Sequence, residues 1–451
     1  MPRIRRMKSN HLSSFQLLVI FYFSAVSISA ILLSLPFAHK PGVEFSVMDG
    51  IFTAVSAVSV TGLTVVSIAD TFSVAGTFVI LIVIQIGGLG LMTMSTFIWI
   101  LVGKKIGLKE RQLIMADQNQ PTLSGLVNLM KQILLLILTI EFIGFLILGT
   151  YYLTYFPTWQ EAYYQALFAT ISATTNTGFD ITGNSLLPFA HDYFVQFIHM
   201  VLIILGAIGF PVLIEIKRFF QHKKKSEPYR FSLFTKLTTS TYFILIAVGF
   251  LLILVLEWTH FFVGKSWHES FFYALFQSVT TRSSGLSTLD VSEFTLATQL
   301  ILSVSMFIGA SPSSVGGGIR TTTFAIVLLA IFFYAKGKGS IKVFNREIYE
   351  DDMRKAFVVS AVAVLLFVVA VIILSITEQL SLMPIIFEVA SAFGTCGLSL
   401  GITPELSTIG KIVIMSLMFI GRIGLVTLVF LIRGKEITEK YHYPKERVII
   451  G

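Results

Sequence analysis

The feature that most constrains this chain is a short glycine-containing loop that occurs four times. The four segments are VSAVSVTGLT, ISATTNTGFD, SVTTRSSGLS and VASAFGTCGLS, and their shared glycines are Gly62, Gly178, Gly285 and Gly397. Neighbouring glycines are about 110 residues apart, which is long enough for two membrane-spanning helices and a shorter segment between them. The spacing predicts four fused helix–loop–helix units around one axis.

The residues that precede the glycines repeat as well. A phenylalanine lies ten positions before the glycine in three units, and a serine followed by alanine lies six positions before it: Phe52, Phe168 and Phe387, with Ser56, Ser172 and Ser391. The third unit aligns only with a one-residue gap, which places Phe276 opposite Phe168. Because spacing, residue identity and flanking hydropathy agree, a true internal repeat is favoured over chance similarity of apolar segments.

Composition indicates a polytopic membrane protein. The chain is 55% hydrophobic and 13% charged, and no separate soluble domain is visible. The apolar run 15–37 follows several basic residues but is too long for the core of a signal peptide, so we interpret it as the first span. The lone Cys396 excludes an intrachain disulfide, and the eight histidines lack metal-ligand spacing.

Hydropathy predicts an all-α fold with eight transmembrane helices and four shorter pore helices. The predicted spans are 13–36, 72–102, 126–156, 192–220, 235–262, 295–335 (interrupted), 354–377 and 405–433. The predicted pore helices lie near 47–58, 160–173, 267–280 and 382–393. The four units therefore cover 13–105, 126–221, 235–336 and 353–433, followed by a cytoplasmic tail at 434–451.

Capping patterns mark the starts of three pore helices. Ser46-x-x-Asp49, Thr158-x-x-Glu161 and Ser266-x-x-Glu269 each have the form of a capping box. The fourth pore helix differs, because Ser381 is followed three positions later by Pro384.

The distribution of basic residues predicts the orientation. All major basic groups fall on one side of the proposed topology: Arg3, Arg5, Arg6 and Lys8; Lys104, Lys105, Lys109 and Arg111; Lys217, Arg218 and Lys223 to Lys225; Lys336, Lys338, Lys342 and Arg346; Arg433 and Lys435. Both termini are then cytoplasmic, and the net charge of +8 reflects this asymmetry rather than nucleic-acid binding. The acids near the outer mouth either concentrate cations or are ordinary solvated loop residues: Glu44, Asp70, Asp180 and Asp290.

Non-helical backbone at membrane depth is tolerated only where protein buries it or where it lines a wet pathway. Four glycine loops around one axis meet this condition, and glycine permits the positive φ angles that turn carbonyl oxygens toward a dehydrated cation. The residues before the glycines are mostly small or polar, as a cation path prefers: Val60, Thr61, Asn176, Thr177, Ser283, Ser284, Thr395 and Cys396.

With one glycine per loop in VTGL, NTGF, SSGL and TCGL, the whole chain resembles the Trk, Ktr and plant HKT superfamily of potassium transporters. Its compact length is most similar to the bacterial Ktr-type membrane subunit. The resemblance implies a single potassium filter formed by the four glycines, no covalent cofactor, and a possible activating role for sodium. In some plant members serine at the first position accompanies sodium preference, and this chain has Gly62 there. The resemblance also implies a homodimer docked on a cytoplasmic, nucleotide-binding, KtrA-like regulatory ring.

The second span of each unit carries small residues some distance after the filter glycine, which typically permit close helix packing. In the third unit they extend into a run that cannot continue a helix: Gly309, Ala310, Ser311, Pro312, Ser313, Ser314, Val315, Gly316, Gly317 and Gly318. A broken helix at membrane depth indicates function. The resemblance identifies this run as an intramembrane gating loop beneath the filter. It lacks the lysine of a phosphate-binding P-loop.

Three charged residues lie within apolar or filter segments. Arg422 is predicted to face the pore, because an intramembrane arginine needs water, carbonyls or an acid. By resemblance it is the pore arginine, which hinders cation passage and interacts with the gating loop. Arg282 is predicted to turn its guanidinium behind the third loop toward an acid such as Glu269 or Asp290. The sequence leaves three roles open for Glu141: an ion or proton site, a helix-packing contact, or part of a dimer interface.

Two other functions compete with selective potassium uptake. One is a sodium- or proton-coupled cation transporter of the same architecture. The remote alternative is an intramembrane serine protease that uses Ser311 with a histidine such as His199. The surfaces for a regulatory partner or anionic lipid would be the basic loops at 104–111, 222–230 and 336–346, and the tail would pack at the dimer interface.

Overall fold

The computed structural model describes residues 14–90, 93–97, 106–117, 124–222, 229–432, 441, 443, 444 and 446–449. Several predictions concern residues outside these ranges, namely the basic residues Arg3, Arg5, Arg6, Lys8, Lys104, Lys105, Lys223 to Lys225, Arg433 and Lys435, and most of the tail. Among the described residues the regular secondary-structure elements are helices, except for one short hairpin, β1 (Lys342–Val343) with β2 (Arg346–Glu347).

Each unit begins with a long apolar helix. These helices are α1 (Ser14–Ser34), α5 (Leu126–Tyr152), α9 (Leu233–Glu257) and α13 (Glu350–Thr377). At about 1.5 Å per residue, each is long enough to cross a hydrocarbon layer of about 30 Å. Their length and hydropathy make these four helices candidate membrane spans, and they lie close to the predicted first spans.

A shorter helix follows in each unit and leads into the glycine loop. These pore helices are α2 (Val47–Ser59), α6 (Trp159–Thr174), α10 (Trp267–Thr280) and α14 (Leu382–Gly394). Ser46 and Thr158 accept hydrogen bonds from the N–H groups of Asp49 and Glu161. Only Ser266 and Glu269 form the full reciprocal capping box. Ser381 makes no side-chain cap, as its different sequence pattern predicted.

The second span is divided in every unit, whereas the sequence predicted only the third to be interrupted. In the first unit α3 (Val74–Leu89) is followed, after Gly90, by a described helical stretch at 93–97. In the other units the helices are α7 (Tyr193–Ala207) and α8 (Phe210–His222); α11 (Leu296–Phe307) and α12 (Thr321–Ala335); α15 (Thr408–Ile423) and α16 (Leu425–Ile432). The continuous spans predicted at 72–102, 192–220 and 405–433 break at Gly90, Gly209 and Gly424, whose φ angles are 89°, 103° and 90°. Such angles terminate a right-handed helix. The α7 and α8 axes differ by 102°.

The four units close into a ring. The second helix of each unit packs against the pore helix of the next: α3 on α6, α7 on α10, α11 on α14, and α15 on α2. At the last of these junctions, Lys411 Nζ lies 3.2 Å from Asp49 Oδ1. A further helix, α4 (Leu108–Asp117), packs on α1. The cyclic contacts place all four glycine loops around one central axis.

Candidate functional site

The four repeated glycines contact one another in cyclic order. A Cβ atom built on each glycine would overlap the carbonyl oxygen that precedes the next glycine: Gly62 with Thr177 O at 1.9 Å, Gly178 with Ser284 O at 2.2 Å, Gly285 with Cys396 O at 2.3 Å, and Gly397 with Thr61 O at 2.3 Å. All four glycines also have positive φ, between 72° and 99°. No other residue type fits this ring of backbone without a shift, because both the space and the conformation exclude a side chain.

Three of the four loops share one turn. Val60, Asn176 and Thr395 each stand two positions before the glycine and adopt left-handed φ angles of 58°, 54° and 49°. Such angles are uncommon in non-glycine residues and concentrate at functional sites. The third loop differs because it is one residue shorter. There Ser284 N–H donates to Thr280 O at 2.8 Å, which continues the helical turn toward Gly285.

A hydroxyl group supports each loop from its pore helix. Ser56 and Ser391 accept hydrogen bonds from the N–H groups of their own filter glycines, at 3.1 and 3.0 Å. Ser172 and Thr280 instead donate to the carbonyl oxygens just after theirs, at 2.6 Å each. The alignment identified the three serines as repeated residues but did not predict this role. Thr280 was missed, because the one-residue gap moves it out of register.

Other predicted filter side chains are buried and bind one another. Thr61 hydrogen-bonds Ser59 at 2.7 Å, and Thr177 hydrogen-bonds Thr175 at 2.8 Å. The Asn176 amide contacts Ser283 Oγ at 2.9 Å and thereby joins the second loop to the third. Cys396 is a free thiol whose Sγ lies 3.5 Å from Thr281 O. These side chains are thus engaged within the protein, whereas Ser284 Oγ is buried without a hydrogen-bond partner among the described residues.

The small residues of the second helices pack beneath the pore helices. A Cβ on Gly87 would lie 2.5 Å from Val58 O, one on Gly206 would lie 2.1 Å from Thr174 O, and one on Gly421 would lie 2.2 Å from Phe393 O. Each of these carbonyls stands four positions before its filter glycine. The contacts agree with the close-packing interpretation of the small-residue motif.

In the third unit, the non-helical segment between α11 and α12 contains the predicted run 309–318. We call residues 308–320 the intramembrane loop. Its backbone hydrogen-bonds the break between α7 and α8: Ser311 N–H donates to Ala207 O at 3.1 Å, and Phe210 N–H donates to Ser313 O at 2.8 Å. Gly317 N–H also donates to Thr395 Oγ1 of the fourth filter loop at 2.7 Å. The loop therefore lies directly beside the filter loops.

Three arginines bind carbonyl oxygens of this region. Arg282 donates to Gly309 O at 2.8 Å, and Arg422 donates to Val315 O. Arg422 also binds Gly87 O and, at 3.2 Å, Gly88 O at the end of α3. Arg320 donates to Gly316 O. Arg320 was missed by the sequence analysis, although an arginine at the restart of an interrupted apolar span is a detectable signal.

The acid partner predicted for Arg282 is wrong. The Arg282 guanidinium instead lies at the break after α11, where it binds the carbonyl oxygens of Ser305 and Gly309, which have lost their helical partners. The two acids bind elsewhere: Glu269 accepts from Ser266 N–H at 2.8 Å, and Asp290 accepts from Ser292 N–H at 2.9 Å. The partners of Arg282 are thus nearby carbonyl groups and not a carboxylate.

In each of the last two units, a carboxylate that the sequence analysis did not single out joins the first span to the second. Glu257 accepts from Thr295 N–H at 2.9 Å, and Glu378 accepts from Ser407 N–H at 3.0 Å. Each contact joins the end of a long first helix to the start of the second. Among the predicted mouth acids, Asp180 accepts from Gly183 N–H at 2.7 Å and so stabilises its own turn.

Two other predicted residues have defined contacts. Glu141 is buried and accepts from Gln85 Nε2 at 2.8 Å, which makes it a contact between α5 and α3. The serine protease alternative lacks its dyad. Ser311 Oγ accepts from Thr321 Oγ1 at 3.2 Å, and His199 Nδ1 donates to Val195 O at 2.8 Å.

Comparison with known proteins identifies the family. The profile of TrkH, described as a cation transport protein, matches residues 7–440. The chain belongs to this family. It is 60% identical over 440 residues to Ktr system potassium uptake protein D of Bacillus subtilis (strain 168), and the match covers 98% of both chains.

Two further relatives extend the comparison. Ktr system potassium uptake protein B of the same organism is 38% identical, with 97% of this chain and 96% of the relative covered. The potassium/sodium uptake protein NtpJ of Enterococcus hirae is 34% identical over the full length of both. The crystal structure of the potassium transporter TrkH from Vibrio parahaemolyticus superposes with a TM-score of 0.74, over 95% of this chain and 86% of that chain, at 20% identity. This TrkH family member therefore has the all-α polytopic fold of four fused units and is a multi-pass membrane protein.

Proposed function

We propose that this TrkH family member mediates potassium uptake across the cytoplasmic membrane through one filter built from its four glycine loops. The observation that carries the proposal is the closed ring of Gly62, Gly178, Gly285 and Gly397, in which each glycine meets the carbonyl preceding the next. The names of the relatives support potassium as the ion, and sodium is the second ion for which NtpJ is named.

The ring supplies the chemistry that a dehydrated cation needs. Carbonyl oxygens can replace the water shell of potassium, and a backbone fixed by neighbouring loops holds them at set distances. The pore helices and their hydroxyl groups keep the loops in place. Glycine at all four positions, including Gly62 at the first, is the potassium-permissive pattern of the family that the chain resembles.

The intramembrane loop at 308–320 is the proposed gate beneath this filter. It is packed against the third and fourth filter loops and held by Arg282, Arg320 and Arg422. Transport then requires the loop to exchange these hydrogen bonds for others, because its present position lies beside the ring. The positive charge of Arg422 adds an electrostatic barrier to cations.

A regulatory partner and a second copy complete the proposal. Two of the relatives are named as parts of a Ktr system, which supports a partner subunit. The homodimer and the cytoplasmic nucleotide-binding ring of the KtrA type are what the family resemblance implies. The described basic residues Lys217 and Arg218 lie in the second half of α8, and Lys336 and Lys338 follow the end of α12, as expected of a cytoplasmic face. Both termini are cytoplasmic in this arrangement.

The test is potassium-limited growth of a bacterial strain that lacks its own uptake systems. Expression of the unmodified chain should restore growth at low potassium, with a KtrA-type subunit supplied if the chain alone is inactive. Gly62→Ser should weaken uptake or admit sodium, because its Cβ would overlap Thr177 O. Absence of uptake even with the subunit would overturn the proposal. Measuring potassium flux against imposed sodium and pH gradients distinguishes this function from that of a sodium- or proton-coupled transporter.

A further inference from the structure

A cavity of about 420 Å³ lies on the side of the intramembrane loop where two interrupted spans restart. Thr322 and Thr323, in the first turn of α12, line it together with Leu425, Val426 and Thr427 of α16. The first N–H groups of a helix have no intrahelical acceptor and carry the positive end of its dipole. The cavity therefore collects the positive ends of two helices.

Two arginines line the same cavity. Arg422 is 7% exposed, and its Nε has no hydrogen-bond partner among the described residues, although its terminal nitrogens bind carbonyls of Val315, Gly87 and Gly88. Arg320 is half-buried and uses one nitrogen to bind Gly316 O and Ser311 O. Arg422 thus already binds the carbonyl groups at the end of α3. Because carbonyl groups carry no net charge, Arg320 and Arg422 both keep their full positive charge.

The cavity lacks a balancing acid. No aspartate or glutamate occurs among its lining residues in the described part of the chain, and its further polar side chains are neutral: Tyr22, Gln112, Ser313, Ser314, Thr322, Thr323 and Thr427. Amide and hydroxyl groups can donate to an anion. Two guanidinium groups in a partly buried space without a carboxylate are costly unless a counter-ion accompanies them.

We propose that this cavity binds a phosphate-type oxyanion between Arg320, Arg422 and the first turns of α12 and α16. Planar guanidinium groups and helix amino termini both favour such a ligand, because each presents several N–H donors to its oxygens. A free phosphate ion and the phosphorylated headgroup of a lipid share this chemistry. A bound dianion would offset the two charges beside the intramembrane loop. Only that consequence for transport rests on the proposed function.

The experiment is thermal unfolding of the purified full chain during titration with inorganic phosphate. Potassium concentration is held constant by exchange of potassium phosphate for potassium chloride, and ionic strength is held constant with choline chloride. The unmodified protein and Arg218→Gln, which removes an exposed arginine of α8, should show a saturable rise in Tm. Arg320→Gln should weaken the apparent affinity by about tenfold or more, because it removes a charged donor, and Arg320→Lys should retain part of it.

A second arm identifies the source of the phosphate group. In lipid discs, addition of phosphatidylglycerol to phosphatidylcholine should raise the Tm of the unmodified chain and of Arg218→Gln, but not of Arg320→Gln, if a headgroup occupies the cavity. A response to inorganic phosphate alone identifies the free ion. The proposal is overturned if Arg320→Gln responds like Arg218→Gln, or if the unmodified protein responds in neither arm. Neither result depends on potassium uptake, so failure here leaves the transport proposal to its own test.

Discussion

The filter ring and the intramembrane loop are both non-helical backbone within an apolar fold, but they are held in different ways. In the ring, glycines pack against carbonyl oxygens with no room for a methyl group. The intramembrane loop also has a tight internal contact, because a Cβ on Gly309 would overlap Gly317 O. Hydrogen bonds, however, join it to its surroundings: Arg282, Arg422 and Thr395 each bind one of its backbone groups, and further backbone bonds reach the break between α7 and α8. A glycine packed against a carbonyl oxygen of the ring has no alternative contact, whereas a hydrogen-bonded group of the loop can change its partner. The difference suits a fixed selectivity element beside a movable one.

The largest effect is expected from adding a methyl group to the ring. Gly397→Ala would place Cβ 2.3 Å from Thr61 O, and its uptake of potassium should fall to background. Gly401→Ala is the matched control, because Gly401 also has positive φ, 90°, but no atom within 4 Å of an added Cβ. That variant suffers only about 1–2 kcal/mol of backbone strain and should transport normally. Equal uptake by both variants, measured with rubidium tracer at matched abundance, would show that the ring contacts are dispensable.

The next effect is expected at the intramembrane loop. Arg422→Ala removes a positive charge from the proposed path together with the hydrogen bond to Val315 O. The rate of transport or its sodium dependence should change severalfold, while protein abundance changes little. The measurement is initial uptake at several sodium concentrations, with Arg218→Ala as the surface control. Unchanged kinetics in Arg422→Ala would remove the residue from the mechanism.

A smaller effect is expected where the two regions meet. Thr395→Val keeps the shape of the side chain but leaves Gly317 N–H without its acceptor, a loss of about 1–3 kcal/mol for a buried group. The intramembrane loop should be released, so that flux rises while the preference for potassium over sodium is retained. Thr395→Ser should restore the unmodified flux. If Val and Ser variants behave alike, this hydrogen bond does not position the loop.

The smallest effect concerns Glu378, which joins the first span of the fourth unit to the second. Burial of Glu378 opposes ionisation, but hydrogen bonds from Ser407 outweigh it and hold the pKa below its ordinary value of 4.5. A lowered pKa in the folded state stabilises the protein above pH 4.5, and this contribution is lost as the pH falls further. Glu378→Gln should therefore lower Tm by a few degrees at pH 7 and by less at pH 4. Thermal unfolding at the two pH values provides the check, and an equal decrease at both would exclude an ionised Glu378 as the cause.

The repeated glycines predicted the ring because what the ring requires at each position is a local property of one residue. A positive φ angle and a missing Cβ are visible in a sequence as glycine at a fixed spacing. The pore helices were predictable for a similar reason, since length and capping residues set their bounds. The division of the second spans was missed in three units because Gly90, Gly209 and Gly424 stand in apolar runs, where glycine is common in membrane helices.

Partners of buried charges were the least predictable part of the site. The sequence shows that Arg282 needs a partner but cannot show which groups a helix break leaves free nearby. The carbonyls of Ser305 and Gly309 become available only because α11 ends there. The position of Arg320 at the restart of an interrupted span was visible in the sequence, but its carbonyl partner depends on the path of the loop before it.

The most direct test of the central claim is ion selectivity of the purified protein in liposomes, with the unmodified chain and Gly62→Ser compared. The account predicts rubidium-tracer uptake that excess potassium blocks and excess sodium does not, and a loss of this difference in Gly62→Ser. Sodium competition that is the same in both, at equal insertion into the liposomes, would contradict a potassium filter built on the glycine ring.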